Sequence, residues 1–300
     1  MPRPNQNPHV QTFFDPATFT ATHLVSDPAT GVAAIVDPVL DFEPKSGTLS
    51  TASVEVVLQA VAEQGLRLAY VLETHAHADH LSAADHIRHR TGARIAIGRH
   101  ITAVQHVFAD LFELDDVPTD GSQFDLLLNE GDQVPLGDLS IGVLYTPGYT
   151  PACSTYLIGD AAFVGDTLFM PDYGTARTDF PGGDAATLYR SIRKILALPP
   201  QTRLFVGHDY LPATRTAYRW ETTVAAEAAD NVHVHDGVNE AAFVSMREAR
   251  DRTLAAPTLI LPSLQVNIRA GALPPATTAG HIFLKLPITF SSDAKPGTAT

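Results

Sequence analysis

Residues 73–80 read Glu-Thr-His-Ala-His-Ala-Asp-His, which brings four metal-capable side chains, His75, His77, Asp79 and His80, within six residues. Imidazole nitrogens and a carboxylate are the donors that zinc and non-haem iron accept. A lone histidine near a strand end is usually structural or solvent-facing, but this H-x-H-x-D-H spacing concentrates ligands in one turn, and the small Ala76 and Ala78 between them let the backbone curl around an ion. The apolar run Leu68, Ala69, Tyr70, Val71, Leu72 just before it predicts a short buried strand, delivering the ligands at its carboxyl end, where open α/β sheets place their sites.

Three later stretches each set a polar side chain just past an apolar strand: Thr146-Pro147-Gly148-Tyr149-Thr150, Gly165-Asp166-Thr167 and Gly207-His208-Asp209-Tyr210. Asp166 and His208 are therefore further metal-ligand candidates, rather than a capping aspartate and a loop histidine. His86, His89, His106, His233 and His235 lie in helical or polar surroundings and read as surface or structural groups.

The elements that must position these residues follow from periodicity. Residues 21–27 and 32–39 read as an opening β-hairpin around Asp27-Pro28-Ala29-Thr30-Gly31, and 40–50 as a polar loop. A helix runs from Ser50 or Thr51 to about Gln64 with Gly65 as its stop, a second spans 81–91 closed by Gly92, and 94–97 is a short strand. From Phe124 a second half opens, with 124–128, 133–136 and 139–145 as successive antiparallel strands and 154–158 and 161–164 as a hairpin. Helices are expected at 184–196, 220–229 and 239–254. Sheet plus helix in both halves predicts an α/β fold built as two face-to-face mixed sheets with helices outside, a four-layer αββα sandwich. No composition break marks a linker, so one domain is expected, and the small, polar end of the chain at 289–300 is expected to be a disordered tail.

The net charge of −13 argues against nucleic acid, which needs a surplus of Lys and Arg. Residues 1–11 are polar with no apolar signal core, and no stretch approaches the roughly 18 apolar residues of a membrane span, so a cytoplasmic protein with no membrane partner is expected. The single cysteine, Cys153, cannot form an internal disulfide and reads as buried and inert rather than as a reactive thiol near the site.

T-H-A-H-A-D-H, T-P-G-Y-T, F-V-G-D-T-L-F and G-H-D-Y together resemble the metallo-β-lactamase superfamily, whose fold is an αββα sandwich with a metal site on one edge. The blocks D-P-V-L-D at 37–41 and Y-G-T-A-R-T-D-F at 173–180 are similar to its persulfide dioxygenase branch, including the β-lactamase hydrolase-like proteins. The resemblance spans residues 10–288, the bounds it implies for the single domain. The resemblance implies a first metal position at His75, His77 and the histidine of T-P-G-H, and a second at Asp79, His80 and His208, bridged by Asp166. In persulfide dioxygenases one Fe(II) sits on the equivalents of His75, the T-P-G-H histidine and Asp166. The resemblance further implies a small glutathione-linked substrate, with Arg177 and Tyr210 as candidates for holding it, and a C-terminal segment at 259–273 that lines the entrance or a contact between two copies in a homodimer.

This sequence departs from the pattern at Tyr149, where a phenol stands in place of the imidazole. A free phenol, with a reference pKa of about 10, is neutral at pH 7, and a bound phenolate favours Fe(III). Tyr149 could ligate as phenolate, could swing away and leave His75, His77 and Asp166 to hold the ion, or could leave metal only at the second position. Two chemistries are implied: a dioxygenase with one Fe(II), or a hydrolase with one or two Zn²⁺ acting on a thioester, lactone or phosphoester, in which Asp79 is ligand or proton acceptor. A degenerate metal sensor or scaffold is the non-enzymatic alternative.

Overall fold

The computed structural model describes residues 7–288; the tail expected at 289–300 lies outside the described residues. The chain opens with β1 (His9–Asp15), β2 (Thr20–Ser26), β3 (Val32–Val36), β4 (Val39–Glu43), β5 (Thr48–Ser50), α1 (Ala52–Glu63) and β6 (Arg67–Glu73). There follow β7 (Leu81–Ser82), α2 (Ala84–Thr91), β8 (Arg94–Gly98), α3 (Ile101–Phe112) and β9 (Leu126–Leu128). The second half holds β10 (Gln133–Leu136), β11 (Leu139–Tyr145), β12 (Ser154–Ile158), β13 (Ala161–Gly165), α4 (Ala185–Leu196), β14 (Arg203–Val206) and β15 (Glu221–Thr223). Three helices close it: α5 (Val224–Asp230), α6 (Glu240–Asp251) and α7 (Ile260–Asn267).

The strands make two six-stranded sheets, ordered β1-β2-β3-β6-β8-β9 and β10-β11-β12-β13-β14-β15, plus a small β5-β4-β7 sheet. Both large sheets are mixed: β3, β6, β8 and β9 run parallel in the first, and β13 and β14 in the second. Val25, Ala34, Val36 and Leu72 from one sheet interlock with Ile141, Tyr156, Phe163 and Phe205 from the other, which is why β3 and β13 are buried along their whole length. The outer face of the first sheet is covered by α1, α2, α3 and α7 through residues such as Val57, Ile87, Phe108 and Leu264. Leu188, Ile192 and Ile195 of α4 and Phe243 of α6 cover the outer face of the second. The result is the four-layer αββα sandwich.

Several expected elements shift. Residues 124–128 do not open an antiparallel series: β9 adds in parallel to β8 at the edge of the first sheet. The expected loop at 40–50 is largely the β4–β5 hairpin, and 81–82 pairs with β4 before α2 begins. The helix expected at 220–229 begins as β15 and becomes α5 only at Val224, where Thr223 caps it by accepting from Ala226 N at 3.2 Å. Three further elements were not anticipated, β1, α3 and α7, although Ile101, Val104, Phe108 and Phe112 of α3 have helical spacing. No helix among the described residues is long and apolar enough to cross a membrane.

Candidate metal centre

The candidate side chains converge because they leave the carboxyl ends of neighbouring strands. Asp37 follows β3, His75 to His80 follow β6, Tyr149 follows β11, Asp166 follows β13 and His208 follows β14. Gly148, at φ +129°, makes the turn that turns Tyr149 inward; a Cβ there would lie 2.3 Å from Leu188 N.

The imidazoles of the ligand loop each have a polar partner beside one nitrogen, and His208 has one beside both. Asp37 accepts from Thr74 N at 2.8 Å and from Thr74 Oγ1 at 2.7 Å, and that hydroxyl sits 2.9 Å from His75 Nδ1. With its proton given to Asp37, Thr74 Oγ1 can only accept, so His75 carries its proton on Nδ1 and presents a bare Nε2. His77 Nε2 lies 3.0 Å from Asp37 Oδ1 and 3.2 Å from Glu73 Oε2, leaving Nδ1 facing the site. His80 Nδ1 is 3.2 Å from Asp79 Oδ2. His208 is bracketed, with Nδ1 2.5 Å from Asp166 Oδ1 and Nε2 2.5 Å from Asp79 Oδ2. His75 Nε2 is 3.7 Å from Asp166 Oδ2.

These residues fit a metal ion. His75 Nε2, His77 Nδ1, His80 Nε2 and Asp79 Oδ1 are buried with no hydrogen-bond partner, an arrangement that is costly unless a cation satisfies them. Ligand atoms of His77, Asp79 and His80 lie within 4.8 Å of one another, as do those of Asp79, Asp166 and His208. Carboxylate or hydroxyl partners on the far nitrogen are what metal-binding histidines commonly have.

The electrostatics divide the imidazoles. Burial and the nearby His77 charge drive His75 down to about 3, so it stays neutral, and the same two causes lower His80. Burial opposes charge on His77 and His208 too, but Asp37 and Glu73 raise His77 well above its ordinary value, and Asp166 and Asp79 lift His208 to about 10. Asp79, despite burial, is held well below the usual carboxylate range by His208 and His80.

Tyr149 stands beside the ligand loop. Its ring packs edge-on against His75, with centroids 5.1 Å apart, and it lines the cavity beside Asp79 and Asp166. Burial and those two carboxylates push its phenol well above the ordinary value, so it is a neutral O–H donor. The cavity holds about 540 Å³, the size of a small-molecule site. Its walls include Phe19, Phe169, Tyr173 and Tyr210, and the Tyr210 ring stacks on His208 with centroids 5.7 Å apart.

Arg177 also lines the cavity, but its guanidinium pairs with Asp179 at 2.5 and 2.7 Å and donates to Ala255 O at 2.6 Å. Arg247 is held by Asp251. Arg250 makes no ion pair among the described residues and is the cation free to meet an anionic ligand in this cavity. Sequence reasoning missed Arg250, as it missed Glu73 and Asp37 as partners of His77; the position of Asp37 just past an apolar strand was the available signal. Cys153 is buried, its thiol pushed up to about 12 by burial, and its Sγ lies 3.3 Å from Thr150 N. His233 is a structural group, accepting from Thr175 N at 3.1 Å.

Comparison with known proteins gives a consistent pattern. The model of the metallo-β-lactamase superfamily matches residues 17–208. A probable metallo-hydrolase of Burkholderia pseudomallei is 54% identical over 93% of this chain and 98% of its own length. A β-lactamase hydrolase-like protein of Agrobacterium fabrum is 52% identical over 94% of this chain, which spans 65% of that longer protein. The human mitochondrial persulfide dioxygenase is 32% identical over 72% of this chain and 74% of its own. Among solved structures, ETHE1 from Myxococcus xanthus superposes with a TM-score of 0.71 at 32% identity, covering 88% of this chain and 100% of that one.

Proposed function

This chain belongs to the metallo-β-lactamase superfamily, and from that premise we propose that it is a persulfide dioxygenase-type metalloenzyme acting on a small thiol-linked persulfide such as glutathione persulfide. The observation that carries the reading is the pair His75 Nε2 and Asp166 Oδ2, 3.7 Å apart, with Asp166 and Tyr149 lining a 540 Å³ cavity. An imidazole and a carboxylate are two parts of the ligand set used by non-haem Fe(II) oxygenases. His77 Nδ1, buried without a partner, would be the third donor in place of the absent imidazole at position 149.

Iron(II) held there would supply reactivity toward dioxygen that no side chain has. The chain's own residues do the rest. The aromatic walls exclude water from the sulfur end of the substrate, and Arg250 binds an anionic group at its other end. The sulfhydryl proton leaves to water, while Asp79, held ionised against His208, keeps a fixed negative charge at the cavity wall. The neutral Tyr149 phenol donates a hydrogen bond to the charge that develops on sulfur or oxygen. With dioxygen and water consumed, the products are sulfite and the free thiol.

A second reading is favoured by a specific feature. Asp79, Asp166 and His208 form a compact carboxylate and imidazole cluster that could hold a second ion, and the 54% identical relative bears the name probable metallo-hydrolase. Zinc there would bring the pKa of a bound water to about 7, suiting thioester or lactone hydrolysis. Elemental analysis of the purified protein, paired with oxygen uptake on glutathione persulfide, separates the two. Iron with oxygen uptake supports the dioxygenase; zinc or manganese with none, and turnover of a thioester or lactone, replaces it with the hydrolase.

A further inference from the structure

The loop carrying His75, His77, Asp79 and His80 is irregular, and its backbone polar groups have no ladder to satisfy them. One side chain from far along the chain meets two of them, and the amide of Ser82 in β7 just beyond. Asn267, the last residue of α7 and 4% exposed, donates from Nδ2 to His77 O and to His80 O, both at 2.8 Å, and its Oδ1 accepts from Ser82 N at 2.8 Å. Its amide thus grips the carbonyls of two ligand residues and the amide that closes the loop. The grip extends further inward: Ser82 Oγ donates to Glu73, whose other oxygen is 3.2 Å from His77 Nε2.

α7 is itself held in place. Gln105 of α3 donates to Ile268 O at 2.9 Å, and Gln265 exchanges hydrogen bonds with the backbone of Lys285 at 2.8 Å in both directions. Just after Asn267 the chain turns away through Gly271, at φ +84°, where a Cβ would lie 2.7 Å from Ser82 O. The close approach lets the end of α7 press against the loop.

We propose that Asn267 is a positioning residue for the metal centre: it fixes the backbone of the ligand loop so that His77 and His80 hold their unpartnered nitrogens toward a common point. This rests on the reading that the loop binds metal. Asn267 lies beyond residues 17–208, the stretch matched by the superfamily model, so this clamp is supplied by the C-terminal segment and not by the shared motifs.

Asn267→Asp keeps size and shape but puts an ionised oxygen against the two carbonyls. The test is affinity for Co²⁺ and Zn²⁺, measured by competition with a chromophoric chelator, alongside the Co²⁺ absorption spectrum and the melting temperature of the metal-free protein. Loss of a partner that orients ligands weakens metal binding by roughly 10- to 100-fold, and the expected result is a loss in that range with an altered cobalt spectrum in a protein that is still folded. Metal affinity and cobalt spectrum equal to wild type, with only the melting temperature lowered, would overturn the proposal. If Asn267→Asp does not fold, Asn267→Ser, which is uncharged and too short to reach the carbonyls, decides by the same readouts. Wild-type protein that binds neither ion would instead overturn the metal reading of the site and the clamp with it.

Discussion

Acidification from pH 8 to pH 6 is a direct probe of how the site takes up metal. In the metal-free protein His208 lies between Asp166 and Asp79 with both ring nitrogens 2.5 Å from carboxylate oxygens, and its pKa of about 10 keeps it an imidazolium across that whole range. His77, raised well above its ordinary value by Asp37 and Glu73 in spite of burial, also carries two protons. An imidazolium cannot ligate, so each of these residues must release a proton to bind. His75, at about 3, and His80, lowered by burial, release none. One obligatory proton changes affinity tenfold per pH unit, about 1.4 kcal/mol. An ion on His75, His77 and Asp166 displaces the His77 proton alone, so its affinity falls roughly 100-fold from pH 8 to pH 6. An ion on Asp79, His80 and His208 displaces the His208 proton and shows the same slope, and filling both positions gives the product, on the order of 10⁴. Chelator competition gives the slope, and calorimetry in buffers of different ionisation heat counts the protons independently. His208→Asn then separates the positions, since it removes the slope only if the ion sits at the second one. A stoichiometric ion whose affinity is flat between pH 6 and pH 8 would refute this account of the electrostatics.

Tyr149→His should tighten metal binding, because it offers an imidazole where ionising a phenol at pH 7 costs about 4 kcal/mol or more from its reference pKa alone, and burial beside Asp166 and Asp79 adds to that. Unchanged metal affinity would show that a side chain at position 149 does not reach the ion. Arg250→Gln should raise KM by up to roughly 5-fold for substrates with an anionic end, with kcat unchanged, as suits an exposed cation; an equal KM effect on an uncharged persulfide would remove Arg250 from substrate binding. His23 is buried between Thr12 Oγ1 and Val206 O, and burial lowers it to about 4. The unfolded chain takes up that proton near pH 6.5 and the folded one only near 4, so this stability is present above pH 6.5 and is lost as the pH falls. Urea unfolding of the metal-free protein should therefore show about 2–3 kcal/mol less acid sensitivity in His23→Gln between pH 7 and 4.5, and parallel profiles would contradict it.

What could be read from the sequence was what is local. The ligand loop was legible because its donors are crowded into one turn, and the sandwich because short apolar strands alternate with helices of matching length. Strand partners were not. Nothing within Leu126, Leu127 and Leu128 says that they pair in parallel with Ala96, Ile97 and Gly98 instead of antiparallel with the next strand, because that choice is made by the sheet edge already waiting there. The same holds in the site. Glu73 sits in the motif itself, yet its role toward His77 depends on a ring orientation that sequence does not encode locally. Asn267 is 190 residues from His77, in a segment with no ligand-type neighbours, and only the folded chain brings it to the loop.

Tyr149 shows how the two levels combine. The sequence marks it as a departure and leaves three outcomes for it, all framed as coordination chemistry. The geometry changes the question, because the residue faces the site beside Asp79 and Asp166 and those carboxylates, with burial, oppose the charge a phenolate would need. A side chain that is neutral, buried and aimed at reacting atoms is better suited to donating a hydrogen bond than to holding an ion. Other donors support that division of labour: His75 Nε2 is buried without a partner 3.7 Å from Asp166 Oδ2, and ligand atoms of His77, Asp79 and His80 lie within 4.8 Å of one another, without any contribution from position 149. If so, the substitution does not delete a ligand that the site cannot spare. It exchanges an imidazole donor to metal for a phenol donor to substrate, and Tyr149→Phe, which keeps the ring against His75 and Phe180 and removes only the hydroxyl, should lower kcat by roughly 10- to 100-fold while leaving metal content unchanged. Loss of metal in that variant would return Tyr149 to the coordination sphere.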